Sequence, residues 1–314
     1  MSFSPARRIA LPEVTLSVHE AGAGPAVVLC HGFPELAYSW RHQVPALAEA
    51  GFRVIAPNQR GSADSDSPDE IEAFDLVHLT DDIVALLDAL DLEKAVFAGH
   101  DWGGFVSWAM PVLHPDRCLG AIGVNTPYVA FPNTQVLRGV FPDPEKLYIL
   151  WFQEPGVAET FLDANVRVVF EKLMRRGSAP SPGGLAGMSD ANPFKRSREI
   201  DPPGESFLSE DEIDLYARAF EQSGFRGPIN WYRNIDRNQE RVPGIGEKKL
   251  DLPCLQITAA WDAAIPPSMA AGMPQVCSDL EVVAIEECGH WTQQEKPEEL
   301  SSAMVDWLTR RFAR

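Results

Sequence analysis

Short apolar runs alternate with amphipathic stretches through the first 124 residues, and this alternation constrains the fold more than any other feature. The runs at 26–30 and 95–98 contain no charged residue, which is typical of strands buried on both faces of a parallel sheet. Between such runs, apolar residues recur every three or four positions, as they do on the buried face of a helix. We therefore expect a mostly parallel sheet with helices packed on both sides.

The alternation stops near residue 125 and returns near residue 250. The first part is predicted to contain strands at 14–20, 26–30, 52–56, 95–98 and 118–124 and helices at 39–50, 77–90 and 103–113. The middle part is predicted to contain helices at 147–152, 157–175 and 210–222, and a loop rich in Gly, Pro and Ser at 177–204. The last part is predicted to contain strands at 254–258 and 280–285 and a helix at 297–312. These elements predict an α/β core, formed by 1–132 and 247–314, that is interrupted by a helical cap at 133–246.

The sharpest local motif is Gly99-His100-Asp101-Trp102-Gly103, which joins a predicted strand to a predicted helix. Glycines two residues before and two residues after a central side chain are typical of the nucleophile elbow of the α/β-hydrolase fold. The elbow is a tight turn that needs these glycines and lifts the central side chain above the sheet. Esterases and lipases usually carry serine at this position, whereas this chain carries Asp101. An aspartate here can also simply cap the following helix.

A carboxylate at the elbow changes the chemistry that can follow. It is ionised at neutral pH without help from a base, and it suits displacement at a saturated carbon, which forms an ester between protein and substrate. Hydrolysis of that ester then needs a general base and hydrogen-bond donors for the oxyanion. The mechanism needs neither a metal ion nor an organic cofactor.

His290 and Asp262 are the candidates for the base and for the acid that orients it. His290 follows the predicted strand at 280–285, and Asp262 follows the one at 254–258. The carboxyl ends of parallel strands meet at one edge of a sheet, which is where sites form in open α/β sheets. Each residue alone is also compatible with a structural role. The chain order of nucleophile, acid and histidine matches the triads of this fold and predicts Asp101, Asp262 and His290 as catalytic residues.

The turn His31-Gly32-Phe33-Pro34 follows another predicted central strand. In α/β hydrolases this loop supplies one backbone N–H of the oxyanion hole, and the residue after the nucleophile supplies the other. We therefore predict that the amides of Phe33 and Trp102 hold the oxyanion, where each such donor typically contributes about 3–4 kcal/mol. A plain tight turn is the alternative interpretation.

At these residues the sequence resembles the epoxide hydrolase family, and it is most similar to the hydrolase domain of the soluble epoxide hydrolases. The resemblance extends over nearly the whole chain, including the cap. It is carried by HGFPE at 31–35, YSWR at 38–41, GHDWGG at 99–104, FQEPG at 152–156, GFRGP at 224–228, NWYRN at 230–234 and CGHW at 288–291. The resemblance implies the hydrolysis of epoxides to diols. The mammalian members also have an N-terminal phosphatase domain, and we expect no phosphatase activity here because no room for that domain precedes the first predicted strand.

The resemblance also implies that two cap tyrosines hydrogen-bond the epoxide oxygen and supply its proton. By position relative to FQEPG the first is Tyr148, and within NWYRN the second is Tyr232. Ring opening creates an alkoxide, which is a poor leaving group unless it is protonated, and a phenol is a strong enough acid to donate. Both tyrosines can also be packing residues of the cap. Tyr216, on a predicted cap helix, matches no catalytic position of the family.

The substrate pocket is expected between cap and core, with an apolar and aromatic lining. Phe33, Trp102 and Trp291 are the candidate lining residues. The other histidines are interpreted as structural or surface residues, including His100, which adjoins Asp101.

Two other functions compete with this prediction. Haloalkane dehalogenases share the fold and an Asp-Trp elbow, but many have asparagine directly after the His-Gly pair, where this chain has Phe33. A leaving halide needs N–H donors, whereas an alkoxide needs a proton, so the tyrosine pair favours an epoxide. The second alternative is a non-catalytic binding protein, because a fold does not determine function. The intact set of catalytic residue types argues against it.

Bulk composition narrows the partners and the compartment. The net charge of −18, from 45 acidic and 27 basic residues, disfavours nucleic acid because the surface repels phosphate. The five cysteines show no zinc-site spacing and are interpreted as structural thiols in a reducing compartment. The N-terminus lacks the apolar run of a signal peptide, and no run reaches the roughly 18 apolar residues of a membrane span. We therefore expect a cytoplasmic enzyme acting on a small epoxide and water, while the oligomeric state, including a homo-oligomer, stays open.

Overall fold

An eight-stranded sheet forms the centre of the structure, a computed structural model that describes residues 4–130, 133–179, 188, 190–197 and 204–313. The strands are β1 (Arg7–Ala10), β2 (Thr15–Ala21), β3 (Ala26–Cys30), β4 (Arg53–Asn58), β5 (Ala95–His100), β6 (Cys118–Val124), β7 (Leu250–Ala259) and β8 (Cys277–Ile285). Their order across the sheet is β1-β2-β4-β3-β5-β6-β7-β8. Strand β2 runs antiparallel to both of its neighbours, β1 and β4, and the other adjacent pairs of described strands are parallel. The prediction of a mostly parallel sheet is confirmed, and β1 is the strand that was not predicted.

Helices flank the sheet and also fill the chain between β6 and β7. The helices of the first and last parts are α1 (Gln43–Glu49), α2 (Leu76–Ala89), α3 (Trp102–Leu113), α12 (Met273–Val276), α13 (Thr292–Glu295) and α14 (Pro297–Phe312). The helices between β6 and β7 are α4 (Thr134–Val140), α5 (Tyr148–Trp151), α6 (Val157–Asp163), α7 (Val166–Leu173), α8 (Pro193–Arg196), α9 (Glu210–Ser223), α10 (Arg226–Arg233) and α11 (Ile235–Arg241). Helix α8 lies within the stretch predicted as a loop at 177–204, part of which falls outside the described residues. No helix of the described chain combines the length and the apolar character that are needed to cross a bilayer.

Both faces of the sheet are buried, as the uncharged central strands predicted. In β3, Val27 and Leu29 pack on the face that α1 and α14 cover. Val28 and Cys30 point to the opposite face and pack with α2 and α3. Successive side chains of a strand point to opposite faces, so a strand covered on both sides must be apolar at every position.

Two predicted helices are wrong in extent, each for a local reason. The helix predicted at 39–50 begins only with α1, because Pro45 has no N–H and fits only in a first helical turn. The helix predicted at 157–175 is broken between α6 and α7 at Asn165. The Asn165 side chain donates to the Phe161 carbonyl at 2.6 Å and thereby competes with the backbone hydrogen bonds of a continuous helix.

Candidate active site

Asp101 lies on the tight turn between β5 and α3, with a φ of 51° and a ψ of −121°. A methyl group on Gly99 would lie 1.9 Å from the Gly103 carbonyl oxygen, and one on Gly103 would lie 2.0 Å from the Cys30 carbonyl oxygen. Only glycine fits at these two positions, so the spacing in the motif is a steric requirement of the turn. A positive φ at a residue other than glycine is strained, and such strain tends to occur at functional sites. The turn brings the Asp101 side chain to a cavity beneath the cap helices.

Two backbone amides hold the Asp101 carboxyl. The Phe33 N–H donates to Asp101 Oδ1 at 2.8 Å, and the Trp102 N–H also hydrogen-bonds to this carboxyl. Gly32 makes the approach possible, because a methyl group there would lie 2.5 Å from Asp101 Cβ. Burial raises the pKa of Asp101, while the neighbouring His290 and the two amides oppose the rise. The amides predicted for the oxyanion hole thus both point at the group that would carry the oxyanion.

His290 and Asp262 meet at the carboxyl ends of β8 and β7. His290 Nδ1 lies 2.9 Å from Asp262 Oδ2. The Asp262 carboxyl also accepts from the backbone N–H groups of Ala264 (2.8 Å) and Ile265 (2.9 Å) and from the Asn125 amide (2.6 Å). Burial alone would raise the pKa of Asp262, but His290 and these donors lower it overall. An ionised Asp262 only accepts hydrogen bonds, so His290 carries a proton on Nδ1.

The other ring nitrogen of His290 faces Asp101. Nε2 lies 3.8 Å from Asp101 Oδ2, which is beyond hydrogen-bond distance. Burial alone would lower the pKa of His290, but the carboxylates of Asp262, Asp101 and Glu35 together raise it to about 9. The charge on Asp101 is therefore one of the factors that set the protonation of His290.

Tyr148 on α5 and Tyr232 on α10 lie side by side. Their ring centroids are 5.7 Å apart, and the two phenols hydrogen-bond to each other. The Trp102 side chain packs edge-on against Tyr232 at 5.1 Å and hydrogen-bonds to its oxygen, with the indole N–H as donor. Burial raises the pKa of both tyrosines, and the nearby Asp101 carboxylate raises it further. Both phenols are therefore neutral and able to donate a proton.

The Asp101 carboxyl and both phenols face one cavity of about 570 Å³. The predicted lining residues Phe33 and Trp291 contribute to its wall. Trp102, the third predicted lining residue, is not among the residues that line this cavity, since its side chain is buried behind the ring of Tyr232. Tyr216 is also buried away from this cavity, where it stacks on Phe170.

A buried pair, Glu35 and His100, lies next to His290 and was not predicted. His100 Nδ1 lies 2.9 Å from Glu35 Oε2, and His100 Nε2 lies 2.7 Å from the backbone carbonyl oxygen of His290. Carbonyl and carboxylate oxygens only accept, so both ring nitrogens of His100 donate. Burial alone would raise the pKa of Glu35, but His100 keeps it low. A charged residue in an apolar turn directly after a buried strand is the sequence signal that could have identified Glu35.

Comparison with known proteins gives the family. Residues 25–297 match the family model described as the alpha/beta hydrolase fold. The chain is 40% identical over 299 residues to bifunctional epoxide hydrolase 2 of Mus musculus, and the match covers 95% of this chain and 54% of the mouse protein. It is 39% identical over 313 residues to epoxide hydrolase A of Mycobacterium tuberculosis, and this match covers 94% of each chain. The chain therefore spans about half the length of the mouse relative and nearly all of the mycobacterial one.

Two solved structures indicate the same family. The crystal structure of epoxide hydrolase A from Mycobacterium thermoresistibile superposes with a TM-score of 0.86 at 38% identity, over 96% of this chain and 97% of that chain. The epoxide hydrolase from an endophytic Streptomyces superposes with a TM-score of 0.87 at 32% identity. It covers 98% of this chain and 96% of that chain. This chain belongs to the epoxide hydrolase family of the α/β-hydrolase fold.

Proposed function

We propose that this chain hydrolyses epoxides to vicinal diols through a covalent ester on Asp101. The observation that carries the proposal is the meeting of three groups at one cavity, namely the Asp101 carboxyl and the hydrogen-bonded phenols of Tyr148 and Tyr232. A carboxylate can attack carbon, and a neutral phenol can donate a proton to the oxygen that leaves that carbon. An epoxide presents this carbon and this oxygen in one three-membered ring. The names of the relatives support the same reaction.

Ring opening is the first half of the proposed reaction. Asp101 Oδ2, which the Phe33 amide does not hold, attacks one ring carbon. A new C–O bond forms, the ring C–O bond breaks, and its electron pair stays on the ring oxygen. This oxygen takes the proton of one phenol while the other phenol of the Tyr148–Tyr232 pair hydrogen-bonds to it. The products are a hydroxyalkyl ester of Asp101 and one tyrosinate.

Ester hydrolysis is the second half. His290, oriented by Asp262, takes a proton from water, and the hydroxide attacks the ester carbonyl carbon. The amides of Phe33 and Trp102 hold the resulting oxyanion. Collapse of this oxyanion breaks the bond between the carbonyl carbon and the diol oxygen, and the diol oxygen takes the proton back from His290. The Asp101 carboxylic acid then returns its proton to the tyrosinate, which restores the starting state.

A paired assay tests the reaction class. We expect the purified protein to form diol from styrene oxide and to release no halide from a bromoalkane. Halide without diol would make the chain a dehalogenase and would return Tyr148 and Tyr232 to a packing role. Neither product, across a panel of terminal and internal epoxides, would favour the non-catalytic binding protein.

Removing the phenol groups should slow ring opening. For Tyr148→Phe and Tyr232→Phe singly we expect losses of about 10- to 100-fold, because one acid remains, and for the double variant about 10³-fold or more. Rapid-quench measurement of ester formation reports this step directly. Tyr216→Phe is the matched control, since its buried hydroxyl has no described hydrogen-bond partner and does not face the cavity. Equal rates for the double variant and the control would contradict the proton-donor role.

The pH dependence of ester hydrolysis should report on His290. His290 acts as a base only when it is neutral, and its pKa of about 9 in the resting protein depends partly on the Asp101 carboxylate. Ring opening moves that negative charge from Asp101, which lies 3.8 Å from His290 Nε2, to a cap phenol, so we expect the pKa of His290 to fall. We expect single-turnover ester hydrolysis to rise with pH through a midpoint below 9.

The Asp262→Asn variant checks the cause of this midpoint. Loss of the Asp262 carboxylate removes another group that raises the pKa of His290, so the midpoint should move to still lower pH. The rate at the plateau should also fall, since the histidine loses its orienting partner. A midpoint that stays at the same pH in this variant would contradict the assignment of the midpoint to His290.

Three further features are part of the proposal. We assign the cap to 133–246 and the core to 1–132 and 247–314, since α4–α11 all lie between β6 and β7. We assign the protein to the cytoplasm, supported by five cysteines that form no disulfide in the structure. A small epoxide and water are its partners in the reaction.

A further inference from the structure

Glu295 is a buried carboxylate that none of the proposed steps uses. It is the last residue of α13, five residues after His290, and only 4% of it is exposed. Its side chain accepts three described hydrogen bonds, and all three come from backbone N–H groups. Hydrogen bonds to an ionised acceptor are stronger than neutral ones, so a carboxylate in this position fixes the backbone around it.

Two of the three donors flank His290. The Gly289 N–H donates to Glu295 Oε2 at 3.1 Å, and the Trp291 N–H donates to Glu295 Oε1 at 3.0 Å. One carboxylate therefore holds the backbone on both sides of His290. The histidine loop, residues 288–291, owes its conformation in part to this side chain.

The third donor belongs to the segment that leaves α7, here called the strap and defined as residues 173–177. The Gly177 N–H donates to Glu295 Oε2 at 2.7 Å. A methyl group on Gly177 would lie 2.4 Å from Gly289 Cα, so only glycine lets the two backbones share one carboxylate oxygen. The Trp291 indole N–H also donates to the Leu173 carbonyl at 2.9 Å. The strap and the histidine loop therefore form one unit around Glu295.

We propose that Glu295 is a positioning residue for ester hydrolysis, which holds His290 in place and ties its position to the strap. The inference rests on the proposed function, in which His290 acts only in the second half of the reaction. Glu295 makes no described hydrogen bond to Asp101, Tyr148 or Tyr232, which carry out ring opening. The strap lines the substrate cavity together with the histidine loop. A substrate group that displaces the strap therefore also displaces the base.

Glu295→Gln separates this role from a general loss of structure. The amide keeps the size of the side chain but has one acceptor oxygen where three N–H groups need two. We expect ester hydrolysis in single-turnover rapid-quench experiments to slow about 10- to 100-fold, the effect of a small misplacement of a catalytic group. Ester formation should stay within about twofold of the original rate, since its groups are untouched. Glu298→Gln, an exposed site that loses the same charge, should change neither rate.

Gly177→Ala is an independent test through the other side of the contact. Its methyl group must push the strap away from Gly289, so we expect the same slow ester hydrolysis with ester formation retained. Thermal unfolding of each variant shows whether the fold persists. Equal slowing of both steps, or no change in either variant, would overturn the positioning role. If the unchanged protein forms no ester on Asp101, the proposed function is wrong. If the unchanged protein forms and hydrolyses the ester, and Glu295→Gln hydrolyses it at the same rate, only the positioning role of Glu295 is wrong.

Discussion

Replacing Asp101 with alanine is expected to end epoxide hydrolysis, with a loss of about 10⁴-fold or more in kcat. The other described carboxyl groups on the cavity wall are Asp190 and Asp262. Asp262 Oδ2 is engaged by His290 and Asn125, and Asp190 Oδ2 forms an ion pair with Arg196, whereas Asp101 Oδ1 is held by the Phe33 amide beside the base. Water alone would then have to open the ring. Initial rates of diol formation from styrene oxide measure the loss, and the intact mass of the protein should show no adduct with the substrate.

The control for this variant addresses the backbone at the elbow. At a φ of 51° any residue other than glycine is strained, and alanine lacks the carboxyl hydrogen bond that holds Asp101 in place, so the thermal unfolding midpoint of Asp101→Ala should be recorded beside its rate. Asp116→Ala, at an exposed position outside the cavity, removes a carboxylate without touching the site and should retain full activity. A folded Asp101→Ala protein that still turns over within tenfold of the original would remove Asp101 from the nucleophile role.

Replacing His290 with glutamine is expected to stop the reaction halfway. In the proposed mechanism ring opening uses only Asp101 and the phenols, so the ester should form, but its hydrolysis should slow by about 10²- to 10⁴-fold without the base. The protein should then consume about one equivalent of epoxide without releasing diol, and its mass should increase by the mass of the substrate. Proteolysis and mass spectrometry should place the added mass on the peptide that contains Asp101.

The same variant tests the order of events. If His290→Gln neither forms an ester nor turns over, then His290 acts before or during ring opening. If it releases diol at the original rate, another group is the base.

The sequence predicted those parts of the fold and site that depend on local spacing. Apolar runs and apolar alternation located seven of the eight strands. The reason is clearest for the central strand β3, which is covered on both faces and has no position for a charge. The glycines around Asp101 identified the elbow, because the turn excludes any side chain at Gly99 and Gly103. Each member of the proposed triad follows its own strand, so parallel strands bring them to one edge.

The sequence did not predict features that depend on contacts between segments distant in the chain. Glu35 and His100 are 65 residues apart in the chain, and their pairing is visible only once β3 and β5 lie side by side. Trp102 was expected on the pocket wall, but it lies behind Tyr232, because a cap helix places that ring against it. The three amides around Glu295 come from two distant segments, and no local sequence pattern predicts that these segments are in contact.

The measurement that tests the central claim most directly is a single turnover in ¹⁸O-labelled water with the protein in excess over styrene oxide. If the ester on Asp101 is the intermediate, the oxygen of the diol comes from the unlabelled carboxylate, and one ¹⁸O atom enters the Asp101 side chain. The peptide that contains Asp101 should therefore gain two mass units while the first diol stays unlabelled. Label in the first diol and none in Asp101 would mean that water attacks the epoxide directly, and it would contradict the covalent mechanism.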